Sequence, residues 1–121
     1  MADRFPLRSN ISVAAEPFDA ADSETLLVEL AEELAGRYGR DTEPGPKPTV
    51  DDVAVFLVAR DGRGQPVGCG ALRDLGGGVE IKRMYVRPAA RGSGLAQRLL
   101  ESLEAESRAR GFTVCRLEAP E

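Results

Sequence analysis

Histidine and tryptophan are absent from the 121 residues, and cysteine occurs only 2 times. Without an imidazole there is no Ser/His or Cys/His nucleophile pair, no Cys/His metal spacing and no histidine base, so no metal is expected. Cys69 and Cys115 lie in apolar, strand-like contexts and read as reduced core residues. Aromatic residues make up 5% and the formal net charge is -4, which leaves little for base stacking and argues against a nucleic-acid partner. No apolar run approaches a membrane span and the N-terminus lacks a charged-then-apolar signal pattern, so no membrane association is expected and the cytoplasm is the default location.

What remains is the composition of a folded globular protein, with 42% hydrophobic and 30% charged residues. The length suits a single domain, residues 1–121, with one core and no room for a second.

The informative stretch runs from Val79-Glu80-Ile81-Lys82-Arg83-Met84-Tyr85-Val86 into Arg87-Pro88-Ala89-Ala90-Arg91-Gly92-Ser93-Gly94-Leu95-Ala96. It reads as strand, glycine turn, helix. The first part is β-branched and aromatic with mixed polarity, Pro88 cannot continue a central ladder, and Leu95, Leu99, Leu100 and Leu103 recur at helical spacing. A helix starting near Gly92 to Gly94 presents unpaired amide N–H groups and the positive end of its dipole, and glycines there let an anion approach the backbone. Arg87 and Arg91 flank this cradle and could pair with phosphate oxygens. The plainer alternative is a β–α turn with two solvated arginines.

Two other glycine-loop readings are weaker. A Walker loop requires Lys and then Ser or Thr after its last glycine, whereas Leu95-Ala96 follows here. A dinucleotide fingerprint requires a third glycine where Gln97 stands, although Glu118 lies at a plausible distance for a ribose contact. Its first strand would also be nearly all apolar, and this one carries Glu80, Lys82 and Arg83.

At these residues the chain resembles the GNAT superfamily of acetyl-CoA-dependent N-acetyltransferases. In that family a strand of the type E-x-K-R-x-Y-V leads through a proline into an R/Q-x-x-G-x-G/A loop, matched here by Glu80 to Val86, Pro88, Arg91, Gly94 and Ala96. The resemblance implies that backbone N–H groups of Gly92, Ser93, Gly94, Leu95 and Ala96, with Arg91 beside them, hold the coenzyme A pyrophosphate. It also implies that the backbone of Met84, Tyr85 and Val86 pairs with the pantetheine arm. The implied substrate is a primary amine on a small molecule or peptide.

Around this centre the chain predicts an α/β fold. Ile11, Val13 and Ala15 suggest a short first strand ended by Pro17. A helix capped by Asp22 or Ser23 then carries Leu26, Leu27, Leu30, Leu34 and Tyr38 on one face. The Pro- and Gly-rich segment Arg40 to Thr49 reads as a surface loop, either a connector or a wall of the acceptor pocket. Val53 to Arg60 should be a central strand, Val67 to Leu75 its antiparallel partner, and Gly76-Gly77-Gly78 the turn into the strand from Val79. The helix from Gly92 should bury Leu95, Ala96, Leu99, Leu100 and Leu103 and stop at Gly111. Thr113 to Glu118 should be a last strand parallel to Val79–Val86, since a helix connects them. The resemblance implies a mixed, mostly antiparallel sheet flanked by helices, with this parallel pair splayed apart to admit the coenzyme. It further implies that the chain is C-terminally short, because the family usually continues through another helix and two strands that often carry an acid tyrosine. The last strand would then be an exposed edge, and self-association as a homodimer is expected.

Acyl transfer to nitrogen needs a neutral amine, yet a lysine-like amine of pKa ~10.4 is neutral in only roughly one molecule in a few thousand at pH 7. Glu80 is the side chain on the cofactor strand suited to accept its proton, as the catalytic base. Lys82 shares its face in a regular strand, and a nearby cation weakens a carboxylate as a base, so a structural ion pair is the competing role unless a bulge changes the parity. Tyr85 reads as core or pocket wall. A coenzyme A-binding or structural module without catalysis is the alternative to an enzyme.

Overall fold

The structure, a computed structural model, describes residues 10–38, 52–112 and 115–117. Its elements are β1 (Ser12–Ala15), α1 (Ala21–Tyr38), β2 (Val53–Arg60), β3 (Pro66–Asp74), β4 (Val79–Val86), a 3-10 turn (Pro88–Ala90), α2 (Leu95–Ala109) and β5 (Cys115–Leu117). The strands form one sheet in the order β1-β2-β3-β4-β5. The first three pairings are antiparallel and β4–β5 is parallel, as the intervening helix requires. The Arg40–Thr49 segment, residues 113 and 114, and everything after Leu117 lie outside the described residues.

The sheet is covered on both faces, which is why β2 reads as an almost unbroken apolar run. One face packs on α1 through Leu26, Leu30, Phe56, Val58, Cys69 and Ala71. The other packs on α2 through Leu57, Leu72, Ile81, Leu95, Leu99 and Leu103.

α1 begins two or three residues before its expected cap, because Glu24 N–H already donates to the Ala20 carbonyl at 2.9 Å. Ser23 therefore lies inside the helix, fully buried, with its hydroxyl donating to Pro17 O at 2.7 Å. Asp22 instead accepts from Arg60 Nη2 at 2.9 Å. The same guanidinium grips both Glu16 oxygens, at 2.8 and 2.7 Å, and so joins the end of β2 to the end of β1 and the start of α1.

α2 buries Leu95, Leu99, Leu103 and Ser107, one stripe at four-residue spacing. Ala96, expected inside, is exposed. The stripe is narrow because its leucines descend onto a glycine floor in β3. A Cβ at Gly70 would come within 2.7 Å of Leu103 Cδ1, and one at Gly68 within 2.9 Å of the Tyr85 carbonyl oxygen. Cys115 is also exposed rather than core, since β5 is an edge strand of three residues.

The two kinds of glycine contact predict different substitutions. Gly68→Ala forces backbone of β4 to move and should cost about 1–3 kcal/mol in urea unfolding. Gly36→Ala, in α1 with nothing within 4 Å of the added carbon, should instead stabilise the chain by about 0.5–1 kcal/mol.

Candidate active site at the β4–α2 turn

β4 is not regular. Cys69 pairs with Tyr85 and Ala71 with Lys82, so Arg83 and Met84 together oppose Gly70 as a β-bulge. Arg83 supports it with φ 59°, the sole positive φ of a non-glycine residue among those described. The extra residue reverses the side-chain alternation. Val79 and Ile81 face α2, and after the bulge Met84 and Val86 face α2 as well. Tyr85 consequently joins the α1 face.

Glu80 and Lys82 both precede the bulge, so they keep the shared face expected of a regular strand. Lys82 is buried. Glu80 is half-buried, and its carboxylate makes no hydrogen bond or ion pair among the described residues. Its cross-strand neighbours are both arginines, Arg73 on β3 and Arg116 on β5. The described pairing with β5 covers only Val79 to Ile81, ahead of the bulge.

Beyond Val86 the chain is pinned by Arg87 N–H donating to Val67 O at 2.9 Å and passes through the 3-10 turn. Ser93 Oγ donates to Ala90 O at 2.7 Å, and Gly92 and Gly94 take φ of 80° and 84°. That left-handed backbone costs an L-residue about 1–2 kcal/mol, which accounts for glycine at both positions. Gly94 stands at the N-cap of α2 without a side-chain capping bond. The first intrahelical bond runs from Arg98 N–H to Gly94 O, so the N–H groups of Leu95, Ala96 and Gln97 have no intrahelical acceptor. The helix thus starts a little later than Gly92, with its donors at the tip of the turn.

The flanking arginines are both paired with carboxylates of α1. Arg87 Nε and Nη2 donate to the two Glu29 oxygens at 2.9 and 2.7 Å, and Nη1 donates to Pro66 O at 2.8 Å. Tyr85 OH donates to Glu29 Oε1 at 3.2 Å. Arg91 pairs with Glu33 through Nη2, donates from Nε to Val86 O at 2.8 Å and lies over the Tyr85 ring at 5.9 Å. Of the two, only Arg91 is exposed; Arg87 is committed to the α1 clasp.

Glu29 and Glu33 were not singled out by sequence, although a signal existed: two carboxylates four apart on a helix match two arginines four apart around the turn. The Arg87 hydrogen bonds hold the Glu29 carboxyl below its ordinary range against the opposing effect of burial. Burial, with the Glu29 charge adding, pushes the Tyr85 phenol up and the Cys69 thiol up to about 12. Cys69 therefore stays a thiol, donating to Arg83 O at 3.4 Å and steadying the bulge. Among the described residues no group of three or more His, Cys, Asp or Glu could hold a metal, and no helix is long and apolar enough to cross a membrane.

A family model described as an acetyltransferase (GNAT) domain matches residues 52–121. A protein of Azospirillum brasilense named IAA acetyltransferase is 40% identical over 118 residues, covering 90% of this chain and 73% of its own. Among solved structures, an acyl-CoA N-acyltransferase from Klebsiella pneumoniae superposes with TM-score 0.71 at 29% identity, covering 88% of this chain and 70% of its own. A GNAT family acetyltransferase from Elizabethkingia anophelis, solved with acetyl-CoA bound, shares the fold with TM-score 0.65 at 16% identity, covering 89% and 64%.

The α1 clasp has a defined pH signature. Folding lowers the Glu29 pKa from its ordinary 4.5, so this contribution to stability is complete above that value and is lost as pH falls through the folded one. Glu29→Gln should cost about 1–2 kcal/mol at pH 7, because it removes the charge and replaces one of the two acceptor oxygens with an NH2 donor facing the Arg87 guanidinium. The variant should also show a flatter decline of Tm between pH 5 and pH 3 than the native chain, as read by circular dichroism.

Proposed function

The chain belongs to the GNAT acetyltransferase family, and from that premise we propose that it transfers an acetyl group from acetyl-CoA to the primary amine of a small molecule or peptide. The observation that carries this reading is the α2 N-terminus, where an uncapped first turn follows two left-handed glycines and directly adjoins β4. Its residues fit a pyrophosphate. A Cβ added at Gly92 would meet nothing within 4 Å, the amides of Leu95, Ala96 and Gln97 have no intrahelical acceptor, and Arg91 stands alongside.

Acetyl-CoA supplies an activated acyl group as a thioester. In this reading Gly92 to Ala96 and Arg91 bind its pyrophosphate, while the backbone of Met84, Tyr85 and Val86, past the end of the described β5 pairing, receives the pantetheine arm. Glu80 lies before the bulge on the same face as Tyr85, with no partner of its own among the described residues. That leaves its carboxylate to accept the ammonium proton of the amine, directly or through a water. β5 lies at the edge of the sheet, and pairing with a second copy through it belongs to the same proposal.

Coenzyme A at a hundredfold excess over its dissociation constant should stabilise the chain by about 2.7 kcal/mol, and Gly94→Glu should abolish that gain. A melt unchanged by saturating acetyl-CoA but raised by NAD would sink the cofactor assignment. For catalysis, a panel of amines is screened by free-thiol release. Glu80→Gln should then lower kcat/KM about 10²-fold or more at pH 7 and recover at high pH, where the amine is already neutral. Coenzyme binding without turnover of any amine would instead identify a binding module.

A further inference from the structure

We propose that Glu33 is a built-in competitor for the coenzyme: it holds Arg91, and a pyrophosphate at the adjoining turn draws on the same guanidinium, so Glu33 sets the affinity and salt dependence of binding. This rests on reading the Gly92–Ala96 turn as the pyrophosphate site. The two α1 carboxylates are not equivalent. Glu29 takes two parallel bonds from Arg87 plus the Tyr85 hydroxyl, and the third Arg87 nitrogen is used by Pro66 O. That clasp is over-determined. Arg91 touches Glu33 through one nitrogen, and its side chain is 42% exposed.

Arg91 also has two anchors that do not depend on Glu33, the Val86 carbonyl and the Tyr85 ring. The guanidinium can therefore exchange one anion for another while staying over Tyr85, immediately before Gly92. An exposed ion pair is worth about 0.2–1 kcal/mol, so the exchange is cheap, and a phosphate offers the guanidinium a bidentate partner in return. The Glu33 carboxylate, one arginine side chain from the turn, also repels a polyanion. Both effects weaken binding, and both disappear when the charge on residue 33 is removed.

Calorimetric titration of the full chain with coenzyme A tests this. Glu33→Gln should tighten Kd by about 1.4- to fivefold at 50 mM salt, the factor that 0.2–1 kcal/mol allows. The difference should shrink toward 1 M salt, where the Debye length is about 3 Å. Glu33→Asp keeps the charge but withdraws it by one methylene, and should move Kd in the same direction by less. Glu32→Gln removes the same net charge from the exposed face of α1 and should leave Kd nearly unchanged. If Glu33 served only to anchor the turn, Glu33→Gln would bind coenzyme A more weakly. Weaker or unchanged binding overturns the inference, and so does an equal effect from Glu32→Gln. Failure of the native chain to bind coenzyme A would instead overturn the reading of the turn itself.

Discussion

The bulge at Arg83 and Met84 is the constraint on which the site depends. Without the extra residue, Tyr85 would alternate onto the α2 face with Val79 and Ile81, and its hydroxyl could not reach Glu29. Arg91 would lose the aromatic ring beneath it. The bulge also interrupts the regular β3–β4 ladder opposite Gly70. A positive φ at a non-glycine residue costs about 1 kcal/mol or more and persists only where its surroundings enforce it. Here the enforcement includes the Cys69 thiol on the Arg83 carbonyl and the close pairing on either side.

The helices on the two faces divide the remaining work. α2 approaches closely because Gly68 and Gly70 offer no side chains, and this brings its N-terminus alongside the end of β4. α1 stays on the opposite face but sends Glu29 and Glu33 around the sheet end to Arg87 and Arg91. The glycine turn is thus braced from one side by packing and from the other by charge. The difference matters for ligand binding. Packing is indifferent to salt, whereas the carboxylates contribute a negative potential that any anionic ligand meets.

Much of this was legible in the sequence, for reasons that also mark the limits. The span of β4 could be read residue for residue because three glycines precede it and Pro88 follows. The α2 leucines announced their own face. Ala96 was misplaced because a stripe at four-residue spacing over a glycine floor is narrower than the usual amphipathic face. Cys115 was misread because its apolar neighbours suggest burial, a signal that was given more weight than the edge position expected of the last strand. The bulge gave no signal at all: the residue in the left-handed region is an arginine, where glycine or asparagine would have drawn attention. The arginine clasps span 58 positions, and long-range pairing of that kind becomes visible only when the helix is docked.

The absence of histidine then bears on how catalysis can be distributed. With no imidazole, the proposed reaction would rely on a carboxylate as proton acceptor, whose ordinary pKa lies well below neutrality, so its driving force for deprotonating an ammonium is small. General-base assistance is worth about 10²- to 10⁴-fold, whereas orienting two bound reactants can supply about 7–11 kcal/mol of the barrier. In the proposed reaction the larger share would therefore come from placing thioester and amine together. Under the proposed function that placement would be mostly a backbone property, set by the glycine turn, the amides of the α2 N-terminus and the strand beyond the bulge. Backbone geometry of this kind is hard to remove by trimming a side chain and easy to remove by adding one. A carbon added at Gly68 would press on the Tyr85 carbonyl and one at Gly70 on Leu103 and Met84, so those glycines bear on the strand around the bulge although neither carries a reactive group.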